Sequence, residues 1–225
     1  MQLENIDAEV VNVVWGLQYT FAARFLDNRG ALIESALKLF ENSREVEINI
    51  GDISKAEELQ LKSKSLLIRI NPYRTTIQTM LPSSLDEFYQ LIKQFCDEQP
   101  IKTFFSNIEF NFIGSVYKVK GDEVDKIASR LLSKCRNIFK CPGEGITFTR
   151  VTYIDGNYRV HITLSLNPIT KRYELDLDTQ KIHSINFSEA PLLVKESYNR
   201  LKDFLHQFKP SIKKEKNNDL DGPNT

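Results

Sequence analysis

Residues 11–21 alternate: Val11, Val13, Trp15, Leu17, Tyr19 and Phe21 fall to one side, against Asn12, Gln18 and Thr20. That period predicts a half-buried strand. Asp27-Asn28 then offers a cap, and Leu32, Ile33, Ala36, Leu37 and Phe40 recur at helical spacing, so residues 30–41 read as an amphipathic helix. Residues 45–50 form a short strand pattern. Residues 51–64 are polar and charged and read as a loop with room for a helical turn. Residues 66–81 read as strand, Asn71-Pro72 turn and strand. Ser84 with Glu87 makes a capping box for a helix bearing Leu85, Phe88, Leu91, Ile92 and Phe95, and Pro100 lies beyond its expected end.

The second half replays this order. Leu66, Ile68 and Ile70 precede Asn71-Pro72, as Ile162, Leu164 and Leu166 precede Asn167-Pro168, an offset of 96 (71 to 167). Asn107-Ile108-Glu109-Phe110 resembles Asn12-Val13-Val14-Trp15 at an offset of 95 (12 to 107). Residues 122–139 predict a helix with Ile127, Ala128, Leu131, Leu132 and Cys135 in the places of Leu32, Ile33, Ala36, Leu37 and Phe40. Residues 146–154 predict a strand that turns at Asp155-Gly156-Asn157 into the second hairpin. Ser188 is the expected cap of a last helix carrying Val194, Leu201, Leu205 and Phe208. The expected fold class is therefore α+β, an internally duplicated strand-helix-strand-hairpin-helix unit with an antiparallel sheet and pseudo-twofold symmetry. The expected units are residues 1–100 and 101–208, followed by a polar, disordered tail at 209–225.

Turn chemistry sets an expected register for the second hairpin. Pro168 excludes a two-residue primed turn, and a four-residue loop over 167–170 keeps the apolar face intact. It sets Ile162 opposite Leu175 and Leu164 opposite Tyr173. On the other face it sets Arg159 opposite Asp178, His161 opposite Asp176 and Thr163 opposite Glu174. Arg159, His161, Glu174 and Asp176 thus form the one titratable constellation. A paired imidazole suits acid–base work or a ligand, while ordinary ion pairs on an exposed sheet face are the plainer reading.

Composition narrows the chemistry. The 225 residues hold Lys+Arg 30 and Asp+Glu 30, a formal net charge of zero. That disfavours nucleic acid as a partner, leaving only a local basic patch of Arg69, Arg74, Arg159 and Arg172 to argue for it. No apolar run approaches the ~20 residues that span a bilayer, and the acidic start lacks the pattern of a signal peptide, so a cytoplasmic protein without membrane contact is expected. Cys96, Cys135 and Cys141 form no CxxC pair, and each is expected to behave as a small hydrophobe or loop residue, not as a metal ligand.

No phosphate-loop, dinucleotide, zinc-protease or nucleophile-elbow motif is present, and Gly143-Glu144-Gly145 is too short for a phosphate loop. No cofactor, metal or catalytic residue is expected. Trp15, Tyr19, Phe110 and Phe112 sit on corresponding strands and fit either core packing or an apolar ligand pocket between the units. Three functions follow in order. The first is a non-catalytic binding protein, adaptor-, antitoxin- or chaperone-like, with a protein partner or a second copy of itself. The second is a sensor of a small apolar molecule lined by those four aromatics. The third is a hydrolase using His161 and Asp176.

The duplicated order of elements resembles the effector-binding domains related to gyrase inhibitor and the SOUL-type haem-binding proteins, over both units, but no binding motif of either can be placed on this chain. The ending, RYELDLD at 172–178 followed by LKDFLHQF at 201–208, resembles that of a sporadically distributed, uncharacterised prokaryotic family. This resemblance implies a cytoplasmic microbial protein with no assigned activity.

Overall fold

The computed structural model describes residues 1–3, 6–40, 45–51, 58–106, 108–139, 148–183 and 186–207. Cys141, Asn107, the short glycine pair at 143–145 and the tail at 209–225 lie outside the described residues. The alternating first run is β1 (Glu9–Tyr19), followed by α1 (Phe25–Leu37). Then come β2 (Glu47–Ile50), β3 (Leu59–Lys62), β4 (Leu66–Ile70) and β5 (Arg74–Met80), and the helices α2 (Leu85–Asp97) and α3 (Gln99–Phe105). The second half supplies β6 (Phe110–Lys120), α4 (Asp122–Phe139), β7 (Phe148–Asp155), β8 (Tyr158–Leu166), β9 (Tyr173–Lys181) and α5 (Leu192–Gln207).

Among the described residues the nine strands join one antiparallel sheet in the order β2-β3-β4-β5-β1-β6-β9-β8-β7. The fold is α+β. β1 and β6 pair at the centre, with Trp15 opposite Ser115 and Gly16 opposite Gly114. The helices pack on one face: α5 over β6 and β9, α4 beside it on the same strands, α1 over β3, and α2 against α5. Alternation delivers the apolar set to that face. Val13, Trp15, Leu17 and Tyr19 of β1, Ile113, Tyr117 and Val119 of β6, and Leu175 and Leu177 of β9 are all buried in one core.

Local signals explain most boundaries. Ser84 Oγ accepts from the Glu87 N–H, so the expected cap starts α2. The first helix begins earlier than expected, at Phe25, because Phe25 and Arg29 add another turn to its buried face. Leu59 and Leu61 turn inward from a stretch that otherwise reads as loop, which makes it β3. Pro100 does not lie beyond the helices: extended Glu98 separates α2 from α3, and Pro100 sits in the first turn of α3, where its missing N–H costs nothing. α3 crosses the unit boundary expected at residue 100. Ser188 does not cap α5; it lies in a short 3₁₀ turn, Phe187–Glu189, capped by Asn186. Ile108 and Glu109 precede β6, so the expected match to Val13 and Val14 of β1 falls ahead of the strand.

The second hairpin corrects the expected register by two residues. Leu166 pairs with Tyr173, Thr163 with Asp176, and His161 with Asp178, not Asp176; Arg159 pairs with Gln180. The loop is longer because Asn167 organises it. Its side-chain oxygen accepts from the N–H groups of Ile169 and Thr170, and its carbonyl accepts from Lys171, which takes φ 56°. A shift by two keeps each residue on its face, so the polar and apolar sets survive intact. The first hairpin is tighter: Asn71 Oδ1 accepts from Tyr73 and Arg74, and Ile70 pairs with Thr75.

Candidate functional site: the open face of the sheet

The face opposite the helices is built from the other half of each alternation. At its centre, cross-strand neighbours are Val14 with Val116, Gly16 with Gly114, and Gln18 with Phe112. Val14, Val116 and Phe112 are apolar and the two glycines carry no side chain, which leaves a shallow furrow between β1 and β6 that ends at exposed Gln18. Val14, Val116 and Phe112 are each half-buried. Gly114 cannot carry a side chain there, since a Cβ would stand 2.8 Å from the Thr179 carbonyl oxygen.

Charge flanks the furrow. On the β5 side stand Arg74 and, one strand further, Arg69, which pairs with Glu58 at 3.4 Å. On the other side β9 presents Glu174, Asp176 and Asp178 in a row. Lys118 of β6 reaches Glu174 at 3.2 Å and Asp176 at 3.8 Å. Glu174 also accepts from Asn167 at 2.8 Å, and that hydrogen bond, with Lys118, holds its carboxyl below the usual range. Asp176 and Asp178 move the other way. Burial among neighbouring side chains raises both, against the partial relief of Lys118 for Asp176 and of Gln180 for Asp178. One oxygen of Asp176 is buried with no hydrogen-bond partner.

His161 stands on β8 opposite Asp178, but its Nδ1 contacts Thr152 Oγ1 at 2.7 Å, and Asp178 accepts from Gln180 at 2.8 Å. Each group has its partner elsewhere. Partial burial and the nearby Arg150 lower the imidazole's proton affinity, while Asp178 opposes them. The imidazole is thus held by a threonine hydroxyl on β7, and the two desolvated carboxylates lie beside it on β9. No group of three His, Cys, Asp or Glu among the described residues is placed to hold a metal ion.

The four predicted aromatics separate. Trp15 is fully buried on the helix face; its Nε1 donates to the Ala190 carbonyl at 3.1 Å, and its ring meets Phe95 edge-on at 6.2 Å. Tyr19 and Phe110 do come together, 6.2 Å apart, inside a packed cluster with Phe104, Phe105 and Phe187. Tyr19 donates to the Asn71 carbonyl at 2.7 Å, and burial pushes its phenol well above the ordinary value. These three rings are core. Phe112 alone stands on the open face, because a bulge between Gln18 and Tyr19 reverses the parity between it and Phe110.

The four arginines do not form one patch either. Arg172 turns away to Asp122 and Asp125 at the start of α4, while Arg69, Arg74 and Arg159 are spread over β4, β5 and β8. The furrow residues Val14, Gly16, Gly114 and Val116, and the cation Lys118, were not singled out by sequence. Their signal was present as the second half of the β1 and β6 alternations, but only the pairing of those two strands makes them a site. No described helix is long and apolar enough to cross a membrane. Scanned against protein-family models the chain matches none, and a search of curated proteins finds no similar sequence.

Proposed function

We propose that this is a non-catalytic binding protein whose open sheet face receives a partner protein, on a scaffold made by internal duplication. The observation that carries it is the uncovered face itself: an apolar furrow at the centre with charged side chains around it. Protein interfaces have that anatomy, an apolar middle and a polar rim. The order of elements supports the duplication. β1, β5, β4 and β3 run outward from the centre on one side, as β6, β9, β8 and β7 do on the other, and each central strand is followed by a helix. The equal offset of the two Asn-Pro turns points the same way. An approximate twofold axis then passes between β1 and β6 near the pair of Leu17 and Ile113, next to the glycines.

A cytoplasmic adaptor-, antitoxin- or chaperone-like role fits such a surface. The test is affinity purification from the native host with Val116→Asp and Lys118→Glu compared with the unaltered chain. The expected outcome is one stoichiometric protein partner that both substitutions release while the chain stays folded. A retained small molecule that survives both substitutions would contradict it.

A further inference from the structure

The two edges of the sheet are unequal. β2 is four residues long, and short edge strands are poor templates for pairing. β7 is eight residues long, and among the described residues no strand lies on its outer side. The helical layer stops short of it. On the helix face, Val160 and Ile162 of β8 are buried, yet their β7 partners Tyr153 and Val151 are 42% and 51% exposed. On the other face Ile154 is 59% exposed. From Val151 to Ile154 there is no charge, proline or bulge to blunt the edge.

We propose that β7 joins two copies of this chain, antiparallel and edge to edge, about a twofold axis at Thr152. Same-face pairing requires odd residues to meet odd ones. The register centred on Thr152 sets Val151 opposite Tyr153 of the second copy, twice, and an aromatic with a β-branched residue is a favourable cross-strand pair. Centring on Tyr153 would instead place Val151 opposite Asp155, whose carboxylate is held by Arg200 at 3.2 Å. The twofold contact closes on itself, whereas β2 meeting β7 would extend without end. Nothing in this contact uses the furrow, so it stands or falls apart from the proposed partner site.

Sedimentation velocity of the full chain tests it, together with oxidation of cysteine variants. A contact this narrow is expected to be weak, with a dissociation constant on the order of 10 μM. The chain is expected to dimerise with rising concentration, and Val151→Lys to weaken the dimer at least ~10-fold without lowering the thermal midpoint. In a chain carrying Cys135→Ser and Cys141→Ser, Thr152→Cys is expected to form an intermolecular disulfide, since directly opposed strand residues lie within its span. Ile154→Cys, on the same strand but opposite Arg150, is expected to form several-fold less. A chain that stays monomeric, a dimer indifferent to Val151→Lys, or equal cross-linking at 152 and 154 overturns the proposal.

Discussion

Trp15 and Gly16 are neighbours on β1, yet they face opposite sides of the sheet and answer different demands. Trp15 fills the helix face, where its ring is enclosed and its N–H satisfied. Gly16 faces outward across from Gly114, where neither strand carries a side chain. The same contrast runs along β6, between Tyr117, which donates to the Val194 carbonyl of α5 at 2.6 Å, and Val116 and Lys118 on either side of it. One face holds the buried apolar core; the other is the face we propose for recognition. Residues adjacent in sequence are thus expected to fail in different assays.

The largest effect belongs to the covered face. Trp15→Ala removes a fully buried indole and leaves the Ala190 carbonyl without its donor, and it is expected to cost about 3–5 kcal/mol in denaturant unfolding. Gly114→Ala is the substitution that breaks a simple division between faces. Although it lies on the open side, its Cβ would meet the Thr179 carbonyl, so a loss of about 1–3 kcal/mol is expected, while Gly16→Ala, with its nearest neighbour at 3.5 Å, changes stability little. Tyr117→Phe deletes one buried hydrogen bond and is expected to cost about 1 kcal/mol.

The smallest effect has the opposite sign. Burial raises the Asp178 carboxyl above its ordinary 3.8, so the folded chain holds that proton more tightly than the unfolded one. The resulting stability is present below pH 3.8 and is lost as pH rises through the folded value. Asp178→Asn stays neutral at every pH. It is expected to be slightly more stable than the native chain at pH 7, with the difference vanishing in acid. Thermal melts across that range check it.

Much of the fold was legible in the sequence because β1, β4, β8 and β9 keep period two over most of their length. Val13, Trp15 and Leu17 announced β1, and Ser84 announced α2. Features set by backbone detail were not. The six-residue second loop depends on Asn167 bonding its own chain and on Lys171 taking a left-handed conformation, neither of which alternation records. β3 rests on two leucines in a polar stretch. The site was the least legible part. Aromatic content drew attention to Trp15, Tyr19 and Phe110, which the core consumes, whereas the furrow is made of glycines and valines whose meaning depends on β1 lying beside β6. Of the polar face, His161 and Asp176 were correctly placed on one surface but not opposite each other.

Site-specific photo-cross-linking in the native host tests the central claim most directly, with the reactive group placed at Val116 in the furrow and, separately, at exposed Leu192 on the helix side. The open-face account predicts one discrete protein adduct from position 116 and none from position 192. Adducts from the helix side alone, or none from the furrow while a partner still co-purifies, would contradict it.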